Sequence, residues 1–138
     1  MNTNKPFKNL FNDDYLYFYS SGFTPERTGA EVNFIESALS LQPGEQVLDV
    51  ACGHGRHLNE LARRGCRCTG VDITPGFLEI ARKEATAEGL DVRYLQQDVR
   101  KLDFDTEFDA AYCYFTSFGY FNDKENAVVI MNVARALK

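Results

Sequence analysis

Three aspartates stand at equivalent places in the chain. Asp49 lies near the end of the apolar run 46–51, Asp72 follows the run 67–71, and Asp98 follows 92–97. After the first comes Cys52-Gly53-His54-Gly55, leading directly into an amphipathic stretch. Gly53 and Gly55 lack Cβ atoms, so a tight turn can form there and a ligand can approach the backbone. A helix beginning just beyond offers free N–H groups. Asp72 lies about 20 residues past Gly53, the distance at which a carboxylate reaches both hydroxyls of a ribose. Asp98 would then lie at the base edge of an adenosine. Glycine turns also occur for geometry alone, and Asp72 could cap the helix that Thr74-Pro75 opens. The row of three acids is more specific than any one of them.

The turn argues against a dinucleotide. A Gly-x-Gly-x-x-Gly pattern would need glycine where Leu58 stands, and Asp49 would repel a pyrophosphate held beside it. An acid there suits a ligand bearing an ammonium and a sulfonium. VLDVACGHGRH, then TGVDIT, then QQDVRKL, resemble motifs I, II and III of class I S-adenosylmethionine-dependent methyltransferases, with Ala51 in place of the usual first glycine. The resemblance spans roughly residues 26–137. It implies that Asp49, Ala51, Gly53 and Gly55 border the methionine portion of the cofactor and that Asp72 holds the ribose. It further implies that Ile73 packs on the adenine, while Asp98 and the Val99 backbone read the adenine edge. S-adenosylhomocysteine would be the product.

Arg27-Thr28, followed by Glu31, resembles the arrangement in glycine-type N-methyltransferases, where an arginine ahead of motif I pairs with the cofactor carboxylate. A planar guanidinium fork suits that task. A solvated residue in a helix first turn would look the same. Within the aromatic run 112–121, Tyr114, Phe115 and Thr116 are the candidates for the wall beside the transferable methyl group, although a strand also buries alternate aromatics in its core. His54, His57 and Cys52 lack a second ligand cluster at zinc spacing, so no metal is expected. Ser117 and Cys113 have no partnered base. Methyl transfer needs none, because the donor is already activated and the protein supplies alignment and exclusion of water. His54, His57 or the N-terminal tyrosines could serve as a base, and nothing selects among them.

These residues need an α/β frame to position them. Strands are expected over 46–51, 67–71, 92–97 and 108–115. Helices are expected from Glu26 to about Leu41, over 57–64, from Pro75 to Glu88 and over 124–137. Such alternation makes right-handed βαβ units, a mainly parallel Rossmann-like open sheet with helices on both faces. Residues 1–25, rich in Phe and Tyr, read as short helical pieces forming a lid on the acceptor side. Residues 26–138 then form the cofactor domain. The resemblance implies a seven-stranded sheet, of which the last strands would be missing. The fourth strand would then lie at an open edge, which predicts a homodimer or a piece of a longer protein.

With 44% hydrophobic residues and 25% charged, the chain has ample material for one core. A net charge of -5 favours a small-molecule acceptor over nucleic acid, which needs a basic face. No apolar run approaches the roughly 20 residues of a membrane span. Irregularly spaced cysteines read as reduced cytoplasmic thiols. Two other classes remain in view: a catalytically silent cofactor-binding or assembly module, and an NAD(P)-dependent oxidoreductase, disfavoured by Leu58 and Asp49.

Overall fold

The computed structural model describes residues 12–115 and 118–138. Four parallel strands, β1 (Gln46–Val50), β2 (Arg67–Asp72), β3 (Val92–Gln96) and β4 (Ala110–Tyr112), lie in the order β3-β2-β1-β4 among the described residues. β1 sits inside, paired with β2 from Gln46 to Val50 and with β4 from Val47 to Asp49. Its alternate side chains face opposite layers. Val47 joins Val32, Ile35, Leu58, Leu61, Leu78 and Ala81 on one face, whereas Leu48 and Val50 join Val71, Leu102, Phe108 and Ala136 on the other.

The first of those layers is built by α2 (Pro25–Leu39), α3 (Arg56–Arg63) and α4 (Pro75–Ala87), and the second by α5 (Asp123–Ala136). Ahead of them stand α1 (Asp13–Tyr19) and a short 3-10 turn, Ser20–Gly22. The helix starts are written locally. Thr24 accepts the Arg27 N–H ahead of Pro25, and Asn122 and Glu125 form a reciprocal capping box that starts α5. Thr74 precedes Pro75 as expected, but its side chain makes no cap bond. Instead Asp72 Oδ1 accepts the Thr74 N–H at 2.8 Å.

The fourth strand is shorter than the run 108–115 suggested. Asp109 fixes its start by accepting the Gln46 N–H at 2.8 Å. Phe115, at φ +65°, turns the chain out of extended conformation beyond its end. Three ion pairs, Arg63 to Glu84 and Glu88 and Arg64 to Glu36, clip the end of α3 to α4 and α2 on the outside.

Candidate functional site

The carboxyl ends of β1, β2 and β3 open on one cleft of about 1150 Å³, counting the part open to solvent. Asp49, Ala51, Cys52 and Gly53 line it from the first strand and its turn, Asp72 and Ile73 from the second, and Asp98, Val99 and Arg100 from the third. Tyr15 and Phe23 reach it from the N-terminal segment, and Tyr114 and Phe115 from beyond β4. Three acids in one crevice agree with the position of ligand sites in open α/β sheets.

The two glycines of the turn do different jobs. At Gly53 (φ +59°) an added Cβ would meet nothing within 4 Å, so its face is open. At Gly55 (φ +79°) a Cβ would lie 2.8 Å from Ala81 Cβ and 2.9 Å from Tyr94 Cζ. Gly55 is buried and lets α3 pack on α4 and β3, so its role is in packing and not in the cleft wall. Ala51 holds φ +64°, a left-handed conformation that costs a side-chain-bearing residue roughly 1 kcal/mol.

Asp72 ties the turn to the second strand. Its Oδ2 accepts the Gly53 N–H at 2.9 Å while Oδ1 accepts that of Thr74. Each carboxylate oxygen keeps a second lone pair for a ligand donor. Asp49 is 2% exposed, and burial pushes its carboxyl up to about 7. The neighbouring Tyr112 hydroxyl opposes that rise, although it falls short of a hydrogen bond of ordinary geometry, and the Asp72 charge adds to it.

Asp98 lines the cleft and is also held by the protein itself. Both its oxygens are taken by the Arg100 guanidinium, at 2.6 and 3.0 Å, and Oδ1 also accepts the Arg100 N–H. That pairing holds its carboxyl below the ordinary range. The acid is therefore a clamp on Arg100, which lies 4.3 Å from the Phe121 ring centroid and reaches Glu125 at 2.7 Å. Ile73 is partly exposed on the cleft, and Val99 begins the 3-10 turn Val99–Lys101 that closes it.

Arg27 is likewise held by protein groups. Its Nε donates to Glu31 at 2.8 Å and its Nη1 to the Gly22 carbonyl, with the side chain 47% exposed and outside the cleft lining. Two arginines line the cleft, Arg100, which Asp98 and Glu125 hold, and Arg56, the first residue of α3, which the sequence analysis quoted within the motif without giving it a role. Glu31 joins both arginines and His57, whose Nε2 lies 2.6 Å from Glu31 Oε2. Partial burial pushes the Glu31 carboxyl up, but hydrogen bonds from His57, Arg27 and Arg56 outweigh it and hold it at about 2. Burial lowers His57 more than Glu31 raises it, and burial holds His54 down at about 4. Both rings are therefore neutral at pH 7. His57 packs 4.7 Å from the Tyr114 ring, and Thr116, the third residue proposed for that wall, lies outside the described residues.

No group of His, Cys, Asp and Glu suited to a metal ion occurs among the described residues. No described helix is long and apolar enough to cross a membrane. The donor set instead fits S-adenosylmethionine: a buried acid for a cation, a latched acid for a diol, apolar walls for a base, and a buried guanidinium nitrogen on Arg56 without a partner among the described residues.

Residues 47–138 match the family described as Methyltransferase domain, and the chain belongs to that family. The ubiquinone biosynthesis O-methyltransferase of Coxiella burnetii is 35% identical over 83 residues, 59% of this chain and 35% of that protein. The sugar N-methyltransferase KedS8 from Streptoalloteichus matches in structure with a TM-score of 0.76 at 27% identity, over 94% of this chain and 51% of that one. PH0226 protein from Pyrococcus horikoshii matches with a TM-score of 0.73 at 28% identity, over 92% and 62%. The chain spans less than half the length of the curated relatives it matches first.

Proposed function

We propose that the cleft binds S-adenosylmethionine and serves methyl transfer to a small-molecule acceptor. The observation that carries this is the pair of acids around an open glycine: Asp49 buried at the floor, and Asp72 latched to the Gly53 N–H. A pyrophosphate in that turn would face two carboxylates, whereas an ammonium, a sulfonium and a ribose diol are each suited by them.

When bound, the cofactor supplies an electrophilic methyl group on a sulfonium. Asp49 balances positive charge beneath it, Asp72 takes the diol, and Ile73 and Val99 flank the base. Ala51 and Gly53 border the amino-acid portion. Tyr114 and Phe115 belong to the wall on the acceptor side, with Tyr15 and Phe23 above as a lid. Together they align the acceptor and exclude water. Neutral His54 and His57 are the groups able to take a proton from an acceptor that carries one.

The net charge of -5 supports a small acceptor over nucleic acid. Four free cysteines support a reducing, cytoplasmic setting. β4 pairs with β1, and Leu137 bridges Phe108 just ahead of β4; a homodimer is the assembly we put forward. A melting-temperature assay separates the cofactor classes: S-adenosylhomocysteine raises the transition and NADH leaves it unmoved. A shift with NADH alone would make the domain an oxidoreductase module.

A further inference from the structure

Arg56 is held in an unusual way for a surface cation. Its side chain is only 10% exposed, and the guanidinium carbon lies 4.7 Å from the Phe23 ring centroid and 5.3 Å from that of Phe115. Nη1 donates to Thr28 Oγ1 at 3.1 Å and lies 2.7 Å from Glu31 Oε2. Nη2 is buried and has no partner among the described residues. Leaving such a donor unmatched is costly, and a carboxylate accepting from the planar fork is its best match.

The charges point the same way. One Glu31 carboxylate faces two arginines, because His57 is neutral. Arg27 is about half solvated, its Nη1 donates to the Gly22 carbonyl, and its guanidinium carbon lies 5.7 Å from the Phe115 centroid. Of the two, Arg56 is the desolvated one and the one that lines the cleft. The remaining acid nearby, Asp49, is itself pushed toward neutrality by burial.

We propose that Arg56, and not Arg27, is the residue that receives the carboxylate of the ligand's amino-acid portion and so selects ligands that carry one. This rests on the S-adenosylmethionine reading of the cleft. Because Phe23 comes from the N-terminal segment and Phe115 from beyond β4, the same guanidinium also joins the two walls that close over the ligand. Arg56 is thus a specificity-determining residue for the cofactor. Thr28 and Glu31 position it.

The test compares S-adenosylhomocysteine with its decarboxylated analogue, by calorimetry on the wild type, Arg56→Gln and Arg27→Gln. The wild type is expected to prefer the carboxylate-bearing ligand by about tenfold or more, as a charge-assisted hydrogen bond implies. Arg56→Gln abolishes that preference, by weakening S-adenosylhomocysteine and leaving the analogue within about twofold, and Arg27→Gln keeps it. Binding of the analogue reports an intact cleft in each variant. If Arg56→Gln does not fold, Arg56→Met, which keeps an apolar stem between the two rings, decides by the same ratio. Equal weakening of both ligands, no effect on either, or loss of the preference in Arg27→Gln overturns the assignment. A wild type that binds neither ligand overturns the S-adenosylmethionine reading itself, a distinct result.

Discussion

The Gly53 N–H donates to Asp72 Oδ2 at 2.9 Å, so the turn after β1 and the end of β2 behave as one rigid lip of the cleft. The second oxygen of the same carboxylate accepts from Thr74 at the start of α4. Asp72→Asn leaves one amide oxygen to face two backbone donors and turns an NH₂ toward one of them. Urea denaturation is expected to show a loss of about 2 kcal/mol, the cost of a buried unsatisfied donor. A change under about 0.5 kcal/mol would mean that the latch does not hold the lip.

Asp49 gives a pH dependence with a definite sign. Its folded pKa, raised to about 7 by burial, lies above the value of an unfolded aspartate. Between those two values the unfolded chain binds fewer protons, so this group lowers stability as pH rises from about 4 to 7. Asp49→Asn is therefore expected to melt at a higher temperature than wild type at pH 7, with the difference vanishing near pH 4. A cationic ligand needs the ionised form, so affinity should fall by up to about tenfold per unit below pH 7 in wild type. In Asp49→Asn it should be weak and independent of pH.

Glu31 acts in the opposite sense. Its carboxyl, held at about 2 by His57, Arg27 and Arg56, contributes stability that is present above the unfolded pKa and lost as pH falls toward 2. The contribution is on the order of 3 kcal/mol. Glu31→Gln should lose that much at pH 7 and little at pH 2 by denaturant titration. A parallel loss at both pH values would show a packing effect in place of the charge network.

The glycines of the turn separate folding from binding. Gly55→Ala places a methyl group against Ala81 and Tyr94 at a positive φ, and should cost about 2–4 kcal/mol. Gly53→Ala meets open space and should cost only the left-handed penalty of about 1–2 kcal/mol, while the new methyl group obstructs ligand binding. Equal stability losses, with binding intact in Gly53→Ala, would contradict this division.

The strand–helix alternation and the positions of Asp49, Gly53 and Asp72 were legible in the sequence because they are fixed locally. An apolar run, a glycine turn and a capping pattern follow each other within a few residues, and the sheet then brings strand ends together. Gly55 was read as a ligand contact, since the need for a bare Cα looks the same whether the neighbour is a ligand or Tyr94. The protein partners of Asp98 and Arg27 were not legible, for a related reason. A charged side chain takes whichever partner the tertiary fold offers, here Arg100 for Asp98 and Glu31 for Arg27. Arg56 stood in the motif from the start, but its stacking on Phe23 and Phe115 joins three segments distant in the chain. β4 stops at Tyr112, and the chain then reaches a positive φ at Phe115, which an aromatic residue gives no reason to expect.

Titration of S-adenosylhomocysteine into the protein by calorimetry at pH 8, alongside NADH and repeated on Asp72→Ala, tests the cofactor assignment most directly. Single-site micromolar binding that Asp72→Ala weakens by about tenfold or more, with no heat from NADH, is the predicted result. Absence of binding, or binding that Asp72→Ala leaves unchanged, would contradict it.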